Sequence, residues 1–203
     1  MLSDRLRRWT RWLVEPVARA LARIGVTPNA LTVSGFLLNL INAWLLAVGQ
    51  QQLAGALILL FTGLDAFDGT LARISGRVTR FGGFLDSVLD RYTEAALFFG
   101  LLIFYVQAPD PTTVYLIYAS LVGSLLVSYT RARAEGLGVR CQEGWFTRVE
   151  RILVLSLGLL LTQVRLALWV LAVLANVTAV QRIVHVYRLT REDPPTGSGA
   201  KPG

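Results

Sequence analysis

The sequence predicts an all-α integral membrane protein, with six transmembrane helices preceded by an N-terminal amphipathic interfacial helix. Three observations carry this. Hydrophobic residues make up 54% of the 203, and mean hydropathy is +0.53, too apolar for an ordinary soluble domain. The apolar residues fall in six stretches, on the scale of the ~20 residues a helix needs to cross a bilayer. Arginines gather in every second link between those stretches, the asymmetry that orients membrane proteins.

Residues 1–25 form the interfacial helix. Leu6, Trp9, Leu13, Val17, Ala20, Leu21 and Ile24 recur at helical spacing. Arg5, Arg7, Arg8, Arg11, Arg19 and Arg23 give it the basic character that suits a headgroup layer. Pro16 predicts a kink, and Gly25 a break. Thr27 is placed to cap the next helix, with Pro28 at its first position. Spans are expected near 29–48, 53–75, 81–106, 112–134, 149–163 and 166–188, so that 29–188 is a six-helix bundle and 1–191 one membrane domain. Links 49–52 and 108–111 hold no arginine. The alternate links hold Arg77 and Arg80, then Arg140 and Arg148, with Arg131, Arg133 and Arg151 at the helix ends beside them. Arg188 and Arg191 follow the last span, and only Arg165 departs from the pattern. A multi-pass protein of the cell membrane with both termini cytoplasmic is expected. Residues 192–203 read as a disordered tail.

Net charge is +7, and every basic residue is arginine except Lys201. These charges lie between apolar spans rather than on a soluble face. Phosphate-bearing lipids or substrates therefore fit better than nucleic acid. The single Cys141 excludes a disulfide framework and a thiolate zinc site. The lone His185 is not taken as a base. Trp9, Trp12, Trp145 and Trp169 suit the membrane interface. The charged N-terminus lacks the short apolar core of a cleavable leader.

Against this background stand four aspartates. Asp65 and Asp68, three residues apart near the cytoplasmic end of the second span, share a helix face. Gly82, Asp86 and Asp90, spaced by four, share a face at the start of the third. The turn near Ser75 and Gly76 would set the two helices side by side and antiparallel. Four carboxylates would then converge just inside the membrane, where each alone is costly and together they repel. One or two Mg²⁺ or Mn²⁺ ions would neutralise them. Two ions about 4 Å apart make a clamp for phosphoryl chemistry. Gly69 and Gly82 leave room for a ligand or the other helix. Arg73 could reach a diphosphate. The plainer alternative is a set of ion pairs with Arg73, Arg77, Arg80 and Arg91.

Asp65, Asp68, Gly69, Ala72, Arg73, Gly82, Asp86 and Asp90 resemble the signature of the CDP-alcohol phosphotransferase family, Asp-x2-Asp-Gly-x2-Ala-Arg-x8-Gly-x3-Asp-x3-Asp, with every fixed position matched. The resemblance extends over roughly residues 1–190. It implies transfer of a CDP-activated group, as from CDP-diacylglycerol or a related CDP-lipid, to an alcohol with release of CMP. It further implies that Asp65, Asp68 and Asp86 ligate the metals, that Asp90 completes the site and is the general base, and that Asp68, Gly69, Ala72 and Arg73 line the CDP-lipid pocket. Thr79 stands where members often carry a nucleotide-contacting hydroxyl. The resemblance also implies a homodimer.

A second cluster bears on the acceptor. It comprises Ser128, Arg131, Arg133 and Glu135, then Arg148, Glu150 and Arg151, then Gln181 and Arg182. An arginine as deep in a span as Arg182 needs an anionic partner. Glu135 and Glu150 are candidate partners for some of these arginines. The remainder would form a basic pocket for an acceptor that carries a phosphate. The cluster is similar to that of prokaryotic phosphatidylinositol phosphate synthases, which implies inositol 1-phosphate as acceptor, its phosphate gripped by Arg131, Arg151 and Arg182. Arg131 stands where lysine is usual and Val149 where proline is usual, so glycerol 3-phosphate remains the rival acceptor. A cation transporter would instead place its carboxylates near the bilayer midplane and show inverted repeats.

Overall fold

The computed structural model describes Pro16, Arg19, Ala20, Arg23 and residues 25–74, 78–108, 110–141 and 144–191, with 63–74 described as backbone alone. The described residues form six helices: α1 (Pro28–Ala47), α2 (Gln51–Ile74), α3 (Arg80–Tyr105), α4 (Pro111–Gly136), α5 (Arg148–Leu160) and α6 (Val164–Thr190). Each lies within three residues of an expected span. Most of the interfacial helix and the whole of the tail at 192–203 fall outside the described residues; Pro16, Arg19, Ala20 and Arg23 are helical and exposed.

Length and polarity separate the six. Helices α1, α4 and α6 are long and apolar enough to cross a membrane. In α2 residues Gln51–Thr62 are apolar, and Asp65, Asp68 and Arg73 lie further along the same helix. The first half of α3 carries Asp86, Asp90, Arg91 and Glu94. With 13 residues, α5 spans only ~20 Å, short of the ~30 Å hydrocarbon core. Among the described residues three helices are thus long and apolar enough to cross a membrane, while α2 and α3 carry acidic residues in the halves that face each other in sequence and α5 is short.

Local sequence sets the boundaries. Thr27 Oγ1 accepts from the Ala30 N–H at 3.2 Å, with Pro28 in the first turn, the cap expected from sequence. Thr79 Oγ1 accepts from the Gly82 N–H at 2.9 Å and starts α3. Thr147 and Glu150 form a capping box at the start of α5. Asp110 caps α4 and accepts from the Thr113 hydroxyl, which, with the Thr113 N–H, holds its carboxyl below the ordinary range against the opposing effect of burial. That cap is intact above the usual carboxylate range and is lost as acidification protonates Asp110. Arg165 lies 3.8 Å from Asp110, so the one arginine that breaks the alternating pattern has a local carboxylate.

The helices enclose one apolar core. Leu46 of α1, Ile58 of α2, Phe98 and Leu101 of α3, Ile117 of α4, Leu159 of α5 and Leu168 and Leu171 of α6 are almost wholly buried within it. Helix α1 packs on α2 and α3, α2 on α5, α4 on α6, and α5 on α6. Polar side chains add ties between helices. Gln51 at the start of α2 donates to the Tyr105 hydroxyl at the end of α3 at 3.2 Å, so these two helices are antiparallel. Ser120 of α4 donates to the Leu168 carbonyl of α6, and Asn176 of α6 to the Ala119 carbonyl of α4. Outside the core, Trp44, Phe99, Tyr115, Tyr118 and Leu166 are exposed, an apolar surface suited to lipid.

Close packing of α1 on α3 depends on Gly100, where an added Cβ would collide with the Ala43 carbonyl oxygen. Small residues at helix contacts allow this approach. Gly100→Ala should lower unfolding stability in detergent by about 1–3 kcal/mol through overpacking. Gly136→Ala, at a position with nothing within 4 Å, should leave it within about 0.5 kcal/mol. Thermal unfolding of the two variants beside the parent chain checks both.

Candidate active site

Residues separated in sequence meet at one end of the bundle. Helix α2 runs toward this end, and α3 and α5 start there. In α3 the spacing of four places Gly82, Asp86 and Asp90 on one stripe. The stripe continues through Glu94, deeper by one turn. Asp65, Asp68, Gly69, Ala72 and Arg73 lie on the helical backbone of α2, and their side chains are outside the described residues. Because α2 and α3 are antiparallel, that part of α2 approaches the same end as Asp86 and Asp90. Among the described residues no three potential metal ligands come together; the expected four-carboxylate set includes two whose side chains are not described.

Asp90 faces a cavity of about 1020 Å³ bounded by α3, α4, α5 and α6. Arg131, Arg148, Arg151 and Arg182 line the same space. Four of the five arginines expected around the acceptor are therefore gathered beside the expected base. Arg133 is not among the lining residues and is exposed. Two residues along a helix turn the side chain by ~200°, so Arg131 and Arg133 cannot share a face. Thr79 is exposed and uses its hydroxyl oxygen to cap α3; its proton is left to donate elsewhere.

Each cavity arginine has an anchoring contact. Arg148 Nη2 lies 2.8 Å from Asp90 Oδ1, and Arg91 Nη1 lies 3.5 Å from Asp90 Oδ2. Arg91 also donates to Ser128 Oγ at 2.9 Å, linking α3 to α4. Arg131 Nε donates to Glu135 Oε1 at 2.8 Å on the exposed rim. Arg182, 3% exposed, donates through Nη1 to the Val127 carbonyl. Arg151, 2% exposed, is held from both sides of a fork: Nε donates to Glu94 Oε1 at 2.8 Å and Nη2 to Glu94 Oε2 at 3.2 Å. Bidentate pairs of this kind fix the guanidinium plane as well as its position.

Glu94 is the residue that sequence reasoning missed. Its signal was present: it extends the Gly82, Asp86, Asp90 stripe by four and puts a carboxylate in an apolar helix. The two glutamates considered from sequence divide differently. Glu135 does take Arg131, whereas Glu150 is engaged by Thr147 in the α5 cap. The fold solves the cost of the charges in this layer by pairing them across helices.

Known proteins carry the same arrangement of helices. The CDP-alcohol phosphatidyltransferase family profile matches residues 25–183. The archaetidylinositol phosphate synthase of Pyrococcus horikoshii is 37% identical over 184 residues, covering 90% of this chain and 95% of that protein. The phosphatidylinositol phosphate synthase of Corynebacterium glutamicum is 37% identical over 213 residues, covering 99% and 97%. A crystal structure of the Mycobacterium tuberculosis phosphatidylinositol phosphate synthase in complex with manganese and citrate matches with a TM-score of 0.81 at 33% identity, over 85% of this chain and 88% of that one. The same enzyme with CDP-DAG bound matches with a TM-score of 0.80 at 30% identity, over 93% and 98%. This protein belongs to the CDP-alcohol phosphatidyltransferase family and is a transferase.

Proposed function

We propose that the protein transfers the phosphatidyl group of CDP-diacylglycerol, or the equivalent group of a related CDP-lipid, to inositol 1-phosphate and releases CMP. The observation that carries this reading is the single cavity that joins Asp90 to Arg131, Arg148, Arg151 and Arg182. A base and a cluster of phosphate-binding side chains in one space suit an alcohol that already bears a phosphate. The relatives' names support the acceptor: they share an inositol phosphate product and differ in the lipid, archaetidyl in one and phosphatidyl in the other. Manganese in a relative's crystal structure supports a divalent cofactor.

In this reading the chain crosses the membrane several times, with termini and cavity on the cytoplasmic side, and works as a homodimer. The donor set of Asp65, Asp68, Asp86 and Asp90 is all carboxylate and suits Mg²⁺ or Mn²⁺, one or two ions. Asp86 and Asp90, one turn apart on α3, fit such a set. Bound there, the metal would stabilise charge on the diphosphate. Asp68, Gly69, Ala72, Arg73 and Thr79 would hold the cytidine diphosphate. Arg131, Arg151 and Arg182 would grip the acceptor's phosphate, and Arg148 orients the Asp90 carboxylate. Arg133 enters this proposal only as a surface charge. Asp90 accepts the proton of an acceptor hydroxyl as its oxygen bonds to the β-phosphorus. The bond from that phosphorus to the bridging oxygen breaks, and CMP leaves with the electron pair.

Purified protein given CDP-diacylglycerol, Mg²⁺ or Mn²⁺, and inositol 1-phosphate should release CMP. Free inositol and serine should give little. No release with any acceptor would sink the reading, and release with glycerol 3-phosphate alone would reassign the alcohol. Asp90→Asn should lower kcat by a factor of about 10²–10⁴, the usual share of a general base, while cytidine nucleotide binding measured by calorimetry persists. Lost binding would recast Asp90 as chiefly a metal ligand. Arg182→Ala should raise the acceptor KM by roughly 10–100-fold, the worth of a charge-assisted hydrogen bond, with the CDP-lipid KM little changed.

A further inference from the structure

Glu94 belongs to no motif used above, yet it makes the most enclosed ion pair among the described residues. It is 8% exposed and holds Arg151, 2% exposed, through both carboxylate oxygens. It stands behind the wall of the large cavity, which Arg151 lines. Asp90, Glu94, Arg148 and Arg151 surround a void of only about 20 Å³, so the four side chains are closely packed.

We propose that Glu94 is a positioning residue for the acceptor: it aims Arg151 at the acceptor's phosphate and keeps that guanidinium off Asp90. This rests on the functional reading above. The geometry gives the reason. Arg151 has five N–H donors, and Glu94 engages Nε and Nη2. The Nη1 end has only a 3.5 Å contact with the Phe146 carbonyl, which is long for a hydrogen bond. That end is the part of the fork that a ligand can use. Without Glu94 the nearest carboxylate around the small void is Asp90. A released Arg151 would turn toward it and leave the acceptor's phosphate. Helix geometry makes the arrangement consistent: Glu94 follows Asp90 by four residues on α3, and Arg151 follows Arg148 by three on α5, so two successive turns of each helix are clasped together.

The sign of one measurement separates this from simpler roles. Removing a negative charge beside an anion site tightens anion binding by electrostatics alone. Removing an aiming residue loosens it. Glu94→Gln should raise the KM for inositol 1-phosphate tenfold or more, with the KM for CDP-diacylglycerol within twofold. Glu94→Asp keeps the charge, withdraws it by one methylene and should give a smaller rise of about threefold, in line with a weakened bidentate contact. Both are assayed as full-length protein in detergent, with thermal unfolding in parallel. An unchanged or lowered acceptor KM in Glu94→Gln overturns the proposal. So does a parallel rise for both substrates that tracks a fall in Tm. If Glu94→Gln does not fold, Glu94→Asp decides in the same way. If the parent protein releases no CMP, the functional reading fails separately. Calorimetric titration with inorganic phosphate then decides: weaker binding by the Glu94 variants supports the aiming role, and equal or tighter binding contradicts it.

Discussion

Two ion pairs between α3 and α5 hold together the layer on which the site depends. Asp90 with Arg148 and Glu94 with Arg151 stand at successive turns, at the edge of a core of Leu97, Phe98, Ile152, Leu155 and Leu171. Such charges are tolerated beside apolar side chains only when paired and hydrogen-bonded. Leaving one of a buried pair alone typically costs about 3–5 kcal/mol. The pairs therefore fix where the arginines of α5 meet the carboxylates of α3. The shortness of α5 follows the same constraint: its first turn must stand at the level of Asp90, and its last turn ends where α2 begins, with Gln52 donating to the Leu160 carbonyl.

The cavity divides its work by helix. Among the described residues, α3 brings Asp90 and Arg91 to it, α4 brings Arg131 and Glu135, and α5 and α6 bring Arg148, Arg151 and Arg182. Arg91 crosses from α3 to α4 by reaching Ser128. The cavity is also far from being a bare basic surface. Arg131, Arg148 and Arg151 each have a carboxylate partner. Under the proposed function, a phosphate entering here would meet side chains already oriented, which lowers the ordering cost of binding. The exposure of the pairs is graded, from Arg131–Glu135 on the rim to Arg151–Glu94 within the bundle. The rim pair can exchange its carboxylate for a ligand's phosphate at little cost, whereas the inner pair acts as a fixed support.

Much of this was legible in the sequence because it depends on local rules. Apolar runs located the six helices. Thr27 and Pro28 marked the start of α1 because capping uses residues three apart. The spacing of Gly82, Asp86 and Asp90 fixed a face because a helix has one period. Distant partners were not legible. Nothing local tells that Arg151 meets Glu94, 57 residues away, or that Glu150 serves its own helix start instead. Arg133 is close to Arg131 in sequence but points away from the cavity, because two residues along a helix turn the side chain by ~200°. The expectation of six spans agrees with the six helices found, of which α1, α4 and α6 are long and apolar enough among the described residues to cross a membrane.

The central claim is that the base and the acceptor's phosphate share one cavity between α3 and α6. An experimental structure of the protein with inositol 1-phosphate bound tests it most directly. The account predicts the phosphate within hydrogen-bond distance of Arg131, Arg151 and Arg182, and a ring hydroxyl directed at Asp90. A phosphate seated elsewhere, or a ring held with no hydroxyl able to reach Asp90, would contradict it.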